Sequence, residues 1–280
     1  MIEHALRQAS SYITQADGLL ICAGAGMGVD SGLPDFRGPE GFWRAYPALK
    51  NTGLRFEEMA MPDHFHRQAE LAWGFYGHRL GLYRQTQPHA GFHILKRIAA
   101  SLPHGAFVFT SNVDGQFQQA GFHEQQILEC HGSVHYLQCL ATCGEPIWPA
   151  DSFIPEVDAQ RCLLLNTPPL CPHCGALARP NVLMFNDWDW LEERSEQQHR
   201  NLQQWLGHCE RPVIIELGAG TAVPTVRYFS ERLGLDLIRV NLRESAVPER
   251  ANCVALPERA LTALQMLEGR LADHGFFTQD

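Results

Sequence analysis

Long apolar runs are missing from this sequence. No stretch approaches the roughly 18 residues of a membrane span, and Met1-Ile2-Glu3-His4 lacks the basic start of a secretory signal. These absences point to a cytoplasmic chain with no membrane partner. An excess of positive charge is missing as well: the formal net charge is −9, which disfavours a nucleic-acid backbone as direct partner and suits basic protein segments. There is no internal repeat and no low-complexity linker, so 280 residues read as one large domain with an appendage. Nine cysteines are an odd number, and in an intracellular chain they argue for thiols and metal ligation over a disulfide framework.

What is present is organised around Gly24 to Arg37. The apolar run Leu19 to Ala23 reads as a buried strand, and Gly24, Gly26 and Gly28 follow at alternate positions. Glycines at a strand's carboxyl end let backbone amides approach and cradle a phosphate. The spacing is not G-x-G-x-x-G, and no acidic residue closes a second strand about twenty residues on.

Further apolar runs at Phe107–Phe109, Ile127–Cys130, Val213–Leu217, Leu237–Asn241 and Cys253–Leu256 alternate with helical patterns over 2–13, 62–84, 189–206 and 257–271. This predicts an α/β fold, a Rossmann-like parallel sheet with helices on both faces. Between Gly38 and Asn51, Phe42, Trp43, Tyr46 and Pro47 read as a long loop that either closes over a ligand or packs its aromatics beneath itself.

Polar residues follow three of these strands, where an open sheet places its ligand. Ser111, Asn112 and Asp114 follow the second strand and serve either a ligand or the cap of the next helix. His131-Gly132 follows the third. Gly218, Ala219 and Gly220 follow Glu216 and Leu217, and Glu216-x-Gly-x-Gly also resembles the nucleotide loop of class I S-adenosylmethionine-dependent methyltransferases. Cys139-x₃-Cys143 and Cys171-x₂-Cys174 supply four thiolates suited to tetrahedral, structural zinc. The first pair is one residue wider than usual and 27 residues intervene, so Cys162 or His173 stand as alternative ligands.

The run Gly24-Ala25-Gly26 followed by Ser31-Gly-Leu-Pro-Asp35-Phe36-Arg37 resembles the sirtuins, the NAD-dependent protein deacylases, and the order of motifs matches along nearly the whole chain. The resemblance implies NAD as cofactor, contacted by Gly24, Ala25, Gly26, Asp35, Phe36, Arg37, Ser111, Asn112, Asp114, Gly218, Ala219, Gly220 and Asn241. His131 becomes the general base, Asn112 orders a water and the ribose, and Asp114 holds the nicotinamide carboxamide. Acylated lysines of proteins become the substrates, with nicotinamide and O-acyl-ADP-ribose released. It further implies a NAD-binding domain from 1–50, 85–136 and 180–280, and a smaller lobe made of a helical part, 51–84, and a zinc ribbon, 137–179.

Tyr76 and Arg79, three apart on one helix face, resemble the Tyr-x-x-Arg pair of the desuccinylase and demalonylase class, with Met184 and Phe185 completing the acyl pocket. The alternative for this pair is that Tyr76 joins an aromatic core and Arg79 meets a surface acid. Gly28, Ser111, Asn186 and Asp187 depart from the family's Ser, Gln and Phe-Gly-Glu. These departures keep NAD hydrolysis or ADP-ribosyl transfer in the same cleft as alternatives.

Overall fold

The computed structural model describes residues 2–35, 38–50 and 53–277; Phe36 and Arg37 lie outside them. In chain order the regular elements are α1 (Ile2–Gln15), β1 (Gly18–Ala23), a 3-10 turn (Ala25–Ser31), α2 (Gly38–Ala45), α3 (Pro47–Lys50), α4 (Phe56–Met59), α5 (Asp63–Arg67), α6 (Ala69–Gln85), α7 (Ala90–Ala100) and β2 (Ala106–Thr110). Then come α8 (Gln116–Gln119), β3 (Ile127–Glu129), β4 (Gly132–Cys139), β5 (Trp148–Pro149), β6 (Val157–Asp158), β7 (Leu163–Leu164) and β8 (Ala178–Val182). The chain closes with α9 (Glu193–His208), β9 (Pro212–Leu217), α10 (Thr225–Arg232), β10 (Asp236–Val240), β11 (Cys253–Leu256) and α11 (Ala260–Asp273).

Six parallel strands form the main sheet in the order β11-β10-β9-β1-β2-β3. From β1 the chain builds outward through β2 and β3, then returns to β9 on the other side of β1 and builds outward again. Order reversal between β1 and β9 opens a crevice at their carboxyl ends, the place where doubly wound sheets bind dinucleotides. The two central strands are buried on both faces, which is why they read as unbroken apolar runs. One face packs on α1, α7 and α11 through Leu6, Ile13, Ile98, Leu264 and Leu267; the other buries Leu20, Phe107, Leu202 and Ile214. Edge strand β3 is finished by α9, where Gln198 Oε1 accepts from Glu129 N–H at 3.1 Å and Ser195 Oγ donates to Glu129 O at 3.1 Å. Such side-chain pairing blunts an open sheet edge.

A second lobe has a different core. Phe42, Tyr46, Phe65, Trp73, Phe75 and Tyr76 cluster with Leu80, Val134, Leu137 and Met184. The expected loop from Gly38 is therefore helical, and its aromatics pack: Phe42 and Tyr46 lie edge-on to Phe75 at 5.9 and 4.9 Å. Because Phe42, Tyr46 and Leu49 are buried in this cluster, α2 and α3 pack with the lobe that the sequence expects to start only at residue 51. The helical pattern over 62–84 breaks at Gln68, whose φ and ψ of −145° and 61° separate α5 from α6. Trp148 pairs with Leu137 as β5 joins β4 and β8 in a three-stranded sheet, and Phe153 packs on Trp73 at 4.9 Å. The helix expected from Asp189 starts only at Glu193, because Gln138 Nε2 holds Asp189 O at 2.8 Å and Asn181 Nδ2 holds Leu191 O at 2.8 Å.

Candidate active site

The glycines after β1 and β9 serve each other. A side chain at Gly218, whose φ is +60°, would stand 2.4 Å from the Gly26 backbone, and one at Gly26 would stand 2.7 Å from Gly218 Cα. Gly26 N–H donates to Gly218 O at 3.0 Å, so the two loops are one clamped unit. The sequence reading assigns those glycines to phosphate approach; in the fold their bare backbones are first required for this loop-to-loop contact. Asn241 fastens the unit to β10: its Nδ2 donates to Ala219 O at 2.9 Å and its Oδ1 accepts from Arg243 and Glu244 N–H at 3.1 and 3.0 Å. Asp30 accepts from Leu261 N–H at 3.0 Å, tying the 3-10 turn to the start of α11. A cavity of about 100 Å³ lies in this crevice, lined by Gly26, Asp30, Asp35, Gly218, Asn241 and Glu258 among others. Ala25 is exposed at the crevice, Gly220 half-buried, and Ala219 buried.

The loop after β2 is laced to the same unit. Thr110 Oγ1 and Ser111 N–H donate to Ala23 O at 2.9 and 3.2 Å, and Asn112 Nδ2 donates to Gly24 O at 3.0 Å. Asn112 therefore bridges two loops and does not cap α8. Asp114, one residue before the N-cap Gly115, has its Oδ1 accept from Gln116 N–H at 2.9 Å. Its Oδ2 lies 3.7 Å from where a side chain on Gly28 would begin, so the serine usual in the family would stand beside this carboxylate. Burial raises the Asp114 carboxyl to about 6, against partial relief from the Gln116 hydrogen bond.

His131 follows β3, and Gly132 is there for a steric reason. With φ at +73°, any side chain at Gly132 would meet Asn181 O at 2.1 Å, so only glycine lets β4 leave the histidine and pair with β8. Leu183 N–H donates to His131 O at 3.0 Å, and Thr225 Oγ1 lies 3.3 Å from its Nε2. Burial lowers the imidazole's pKa, which keeps it neutral and able to accept a proton at pH 7.

Beyond β8, the departures at Asn186 and Asp187 are absorbed. Asn186 has φ of +54°, a left-handed position that suits glycine and, next best, asparagine. Asp187 accepts two bonds from Arg179, each at 2.7 Å, with both side chains almost fully buried, and also accepts from Met184 N–H at 3.2 Å. The segment carrying Met184 and Phe185 is pinned, and Phe185 lies edge-on to Phe56 at 6.1 Å. Tyr76 joins the aromatic core, with Phe65 5.7 Å away. Arg79 is buried: its guanidinium lies 5.3 to 5.7 Å from the rings of Phe75, Tyr76 and Tyr83, and Nε donates to Tyr83 Oη at 2.9 Å.

The four cysteines converge. Cys139, Cys143, Cys171 and Cys174 place their sulfurs within 4.8 Å of one another, with two pairs at 3.6 Å. Tetrahedral zinc with Zn–S of about 2.3 Å sets sulfurs roughly 3.7 Å apart, so this donor set fits structural zinc. The wide first pair closes because Thr142 takes φ of +46°, folding Cys143 back toward Cys139. Cys162 is buried in the aromatic lobe and His173 is exposed; neither belongs to the cluster.

A doubly wound parallel sheet, a buried acid after β2, a neutral histidine after β3 and a four-cysteine cluster together define an α/β protein with a separate metal-binding lobe. The Sir2 family profile matches residues 24–224, most of the chain, and this chain belongs to the Sir2 family, the sirtuins. It is 28% identical over 250 residues to an NAD-dependent protein deacylase of Aquifex aeolicus, covering 88% of this chain and 92% of the relative. It is 30% identical over 252 residues to one of Aeropyrum pernix, covering 88% and 87%. A Sir2 homologue in complex with NAD shares the fold with a TM-score of 0.72 at 21% identity, over 96% of this chain and 94% of its own. A Sir2 structure with a deacetylated peptide and an O-acetyl ADP ribose gives 0.65 at 19% identity, over 98% and 99%.

The methyltransferase resemblance at Glu216 is overturned. Glu216 is fully buried and bonded to Arg239 at 2.6 and 2.9 Å and to Ser230, so its carboxylate is committed within the fold. Two structural partners carry no motif signal. Asp187 is visible only as a departure from Phe-Gly-Glu, and Thr225 follows Pro224 with nothing in the local sequence to tie it to a histidine 94 residues earlier.

Proposed function

We propose that this protein removes acyl groups from lysine side chains of proteins at the expense of NAD, releasing nicotinamide. The observation that carries the reading is that groups following four strands of one sheet are tied together: Asn112 bonds the loop after β1, Asp114 lies beside Gly28, and His131 meets Thr225 at the start of α10, beyond β9. NAD, when bound, would supply an activated ribose carbon with nicotinamide as its leaving group. The chain's own groups do the rest. Asp114, ionised above pH 6, accepts from the carboxamide N–H₂ deep in the cleft. His131, held neutral by burial, takes the proton of a ribose hydroxyl at Nε2. Gly24, Ala25, Gly26 and the 218–220 loop face the phosphates, Asp35 and Asn241 lie toward the adenosine end, and Ser111 lies beside Asn112. The four cysteines hold the second lobe in register and leave no open position on a metal for catalysis.

The acyl chain enters beside Met184 and Phe185, with Tyr76 and Arg79 at its end, and the preferred chain is acidic. A guanidinium buried among three aromatic rings favours a carboxylate over a methyl group, by about 10- to 150-fold if the charge-assisted contact contributes about 1.5 to 3 kcal/mol. One assay tests both levels. Nicotinamide release is measured without peptide, with acetyl-lysine peptide and with succinyl-lysine peptide, for the wild type and Arg79→Met. Release that requires an acylated peptide is expected, whereas release indifferent to peptide would replace deacylation with NAD hydrolysis. Arg79→Met is expected to collapse succinyl turnover alone, and equal slowing of both would leave the helix as scaffold.

A further inference from the structure

His131 belongs to the junction of β3 and β4, yet its ring is met by the far half of the chain, at Thr225 Oγ1, 3.3 Å from Nε2. Thr225 is the first residue of α10, and that helix start is held from several sides. Pro224 O accepts from Tyr228 N–H at 2.9 Å, Val226 is buried, and Arg227 donates to Ala219 O at 3.1 Å and to Glu244 O. The hydroxyl is therefore delivered by a clamped element that is itself part of the cofactor-loop unit. Leu183 fixes the backbone of His131, but a ring on a fixed backbone still turns about two side-chain torsions. The Thr225 hydroxyl is the side-chain hydrogen-bond partner that the described residues give this ring.

A general base must present a lone pair. An imidazole carries its single neutral proton on one nitrogen, and the hydrogen bond made by the other nitrogen selects which. A hydroxyl donating to Nε2 places the ring proton on Nδ1 and leaves Nε2 the acceptor. A separation of 3.3 Å is long for a hydroxyl hydrogen bond. The contact thus orients the ring weakly enough for an arriving ribose hydroxyl to displace it.

We infer that Thr225 is a positioning residue for the base, its hydroxyl holding the His131 ring in the rotamer and tautomer that accept the ribose proton at Nε2. This rests on His131 being the base, as proposed above. The step is a proton transfer: the ribose O–H bond breaks, its proton moves to Nε2, the Nδ1 proton stays, and the bond's electron pair remains on the ribose oxygen. Substitution of Thr225 should accordingly slow acyl transfer while sparing the earlier release and exchange of nicotinamide.

The test uses the full chain with Thr225→Val, which keeps the shape and removes the hydroxyl, Thr225→Ser, which restores it, and His131→Ala. Thr225→Val is expected to lower deacylation kcat by about 3- to 10-fold, with KM for NAD and the exchange of labelled nicotinamide nearly unchanged. Thr225→Ser should return to within about twofold of wild type. Ring nitrogen NMR at pH 8 should show Nε2 unprotonated in the wild type and the serine variant, and mixed tautomers in the valine variant. Unchanged rate and spectrum in Thr225→Val, or equal impairment of the valine and serine variants, overturns the inference. Deacylation that survives in His131→Ala sinks the base assignment instead, and so separates the two failures.

Discussion

Each lobe fully buries an arginine–carboxylate pair among the described residues, Arg239–Glu216 in one and Arg179–Asp187 in the other, and the pairs have different work. In the sheet lobe Arg239 and Glu216 sit across adjacent strands whose backbone ladder already fixes them, with Ser230, Glu231 and Ala246 O completing the network. In the small lobe Arg179 and Asp187 join a strand to an irregular segment that has no ladder of its own, and they thereby set where Met184 and Phe185 stand. The first lobe distributes its stability over parallel strands and aliphatic layers on both faces. The second concentrates it in an aromatic cluster, one ion pair and four thiolates. Point contacts make a lobe sensitive to single substitutions.

The largest expected effect is at the cysteines. Cys171→Ser should lose about one zinc per chain and the fold of the second lobe with it, because structural zinc supplies on the order of 10 kcal/mol of folding free energy. Elemental analysis alongside circular dichroism checks this; metal-free wild-type protein that is fully folded would break the contrast. Next come the paired carboxylates. Asp187→Asn leaves the buried Arg179 guanidinium uncompensated, at about 3 to 5 kcal/mol, whereas Glu216→Gln should cost less because Glu231 still pairs with Arg239 at 2.7 Å. Urea unfolding should show both losses, but only Asp187→Asn should raise KM for peptide at temperatures where the variant remains folded. Equal KM effects would mean the sheet lobe shapes the peptide site as much as the small lobe does.

The smallest effect sits after β2, at Asp114. Its carboxyl is raised from 3.8 to about 6 in the fold. The protonated form is therefore favoured by folding, and the burden of burying the charge is absent below about pH 4, grows as pH rises to 6, and is complete above that. Asp114→Asn, which keeps an acceptor for Gln116 N–H, should be more stable than wild type by about 1 to 3 kcal/mol at pH 8 and no more stable at pH 4. Nicotinamide release should fall in the same variant. A stability difference that does not change with pH would show that the carboxylate is not strained by burial.

Elements with a local cause were legible along the chain. Unbroken apolar runs marked the parallel strands, and glycines after β1, His131-Gly132 after β3 and two close cysteine pairs marked positions where only those residue types do the job. Order along the chain was enough to place the family. The tertiary structure alone decided what depends on distant partners. It made Gly26 and Gly218 each other's neighbours across 192 residues of chain and turned the departure at Asp187 into a pair for Arg179. It converted the aromatic loop after Gly38 into helices under Phe75, and brought Thr225 to His131. Periodicity and spacing report the backbone's own repeat, whereas the partner of a buried polar atom is fixed only when strands far apart in sequence come into register.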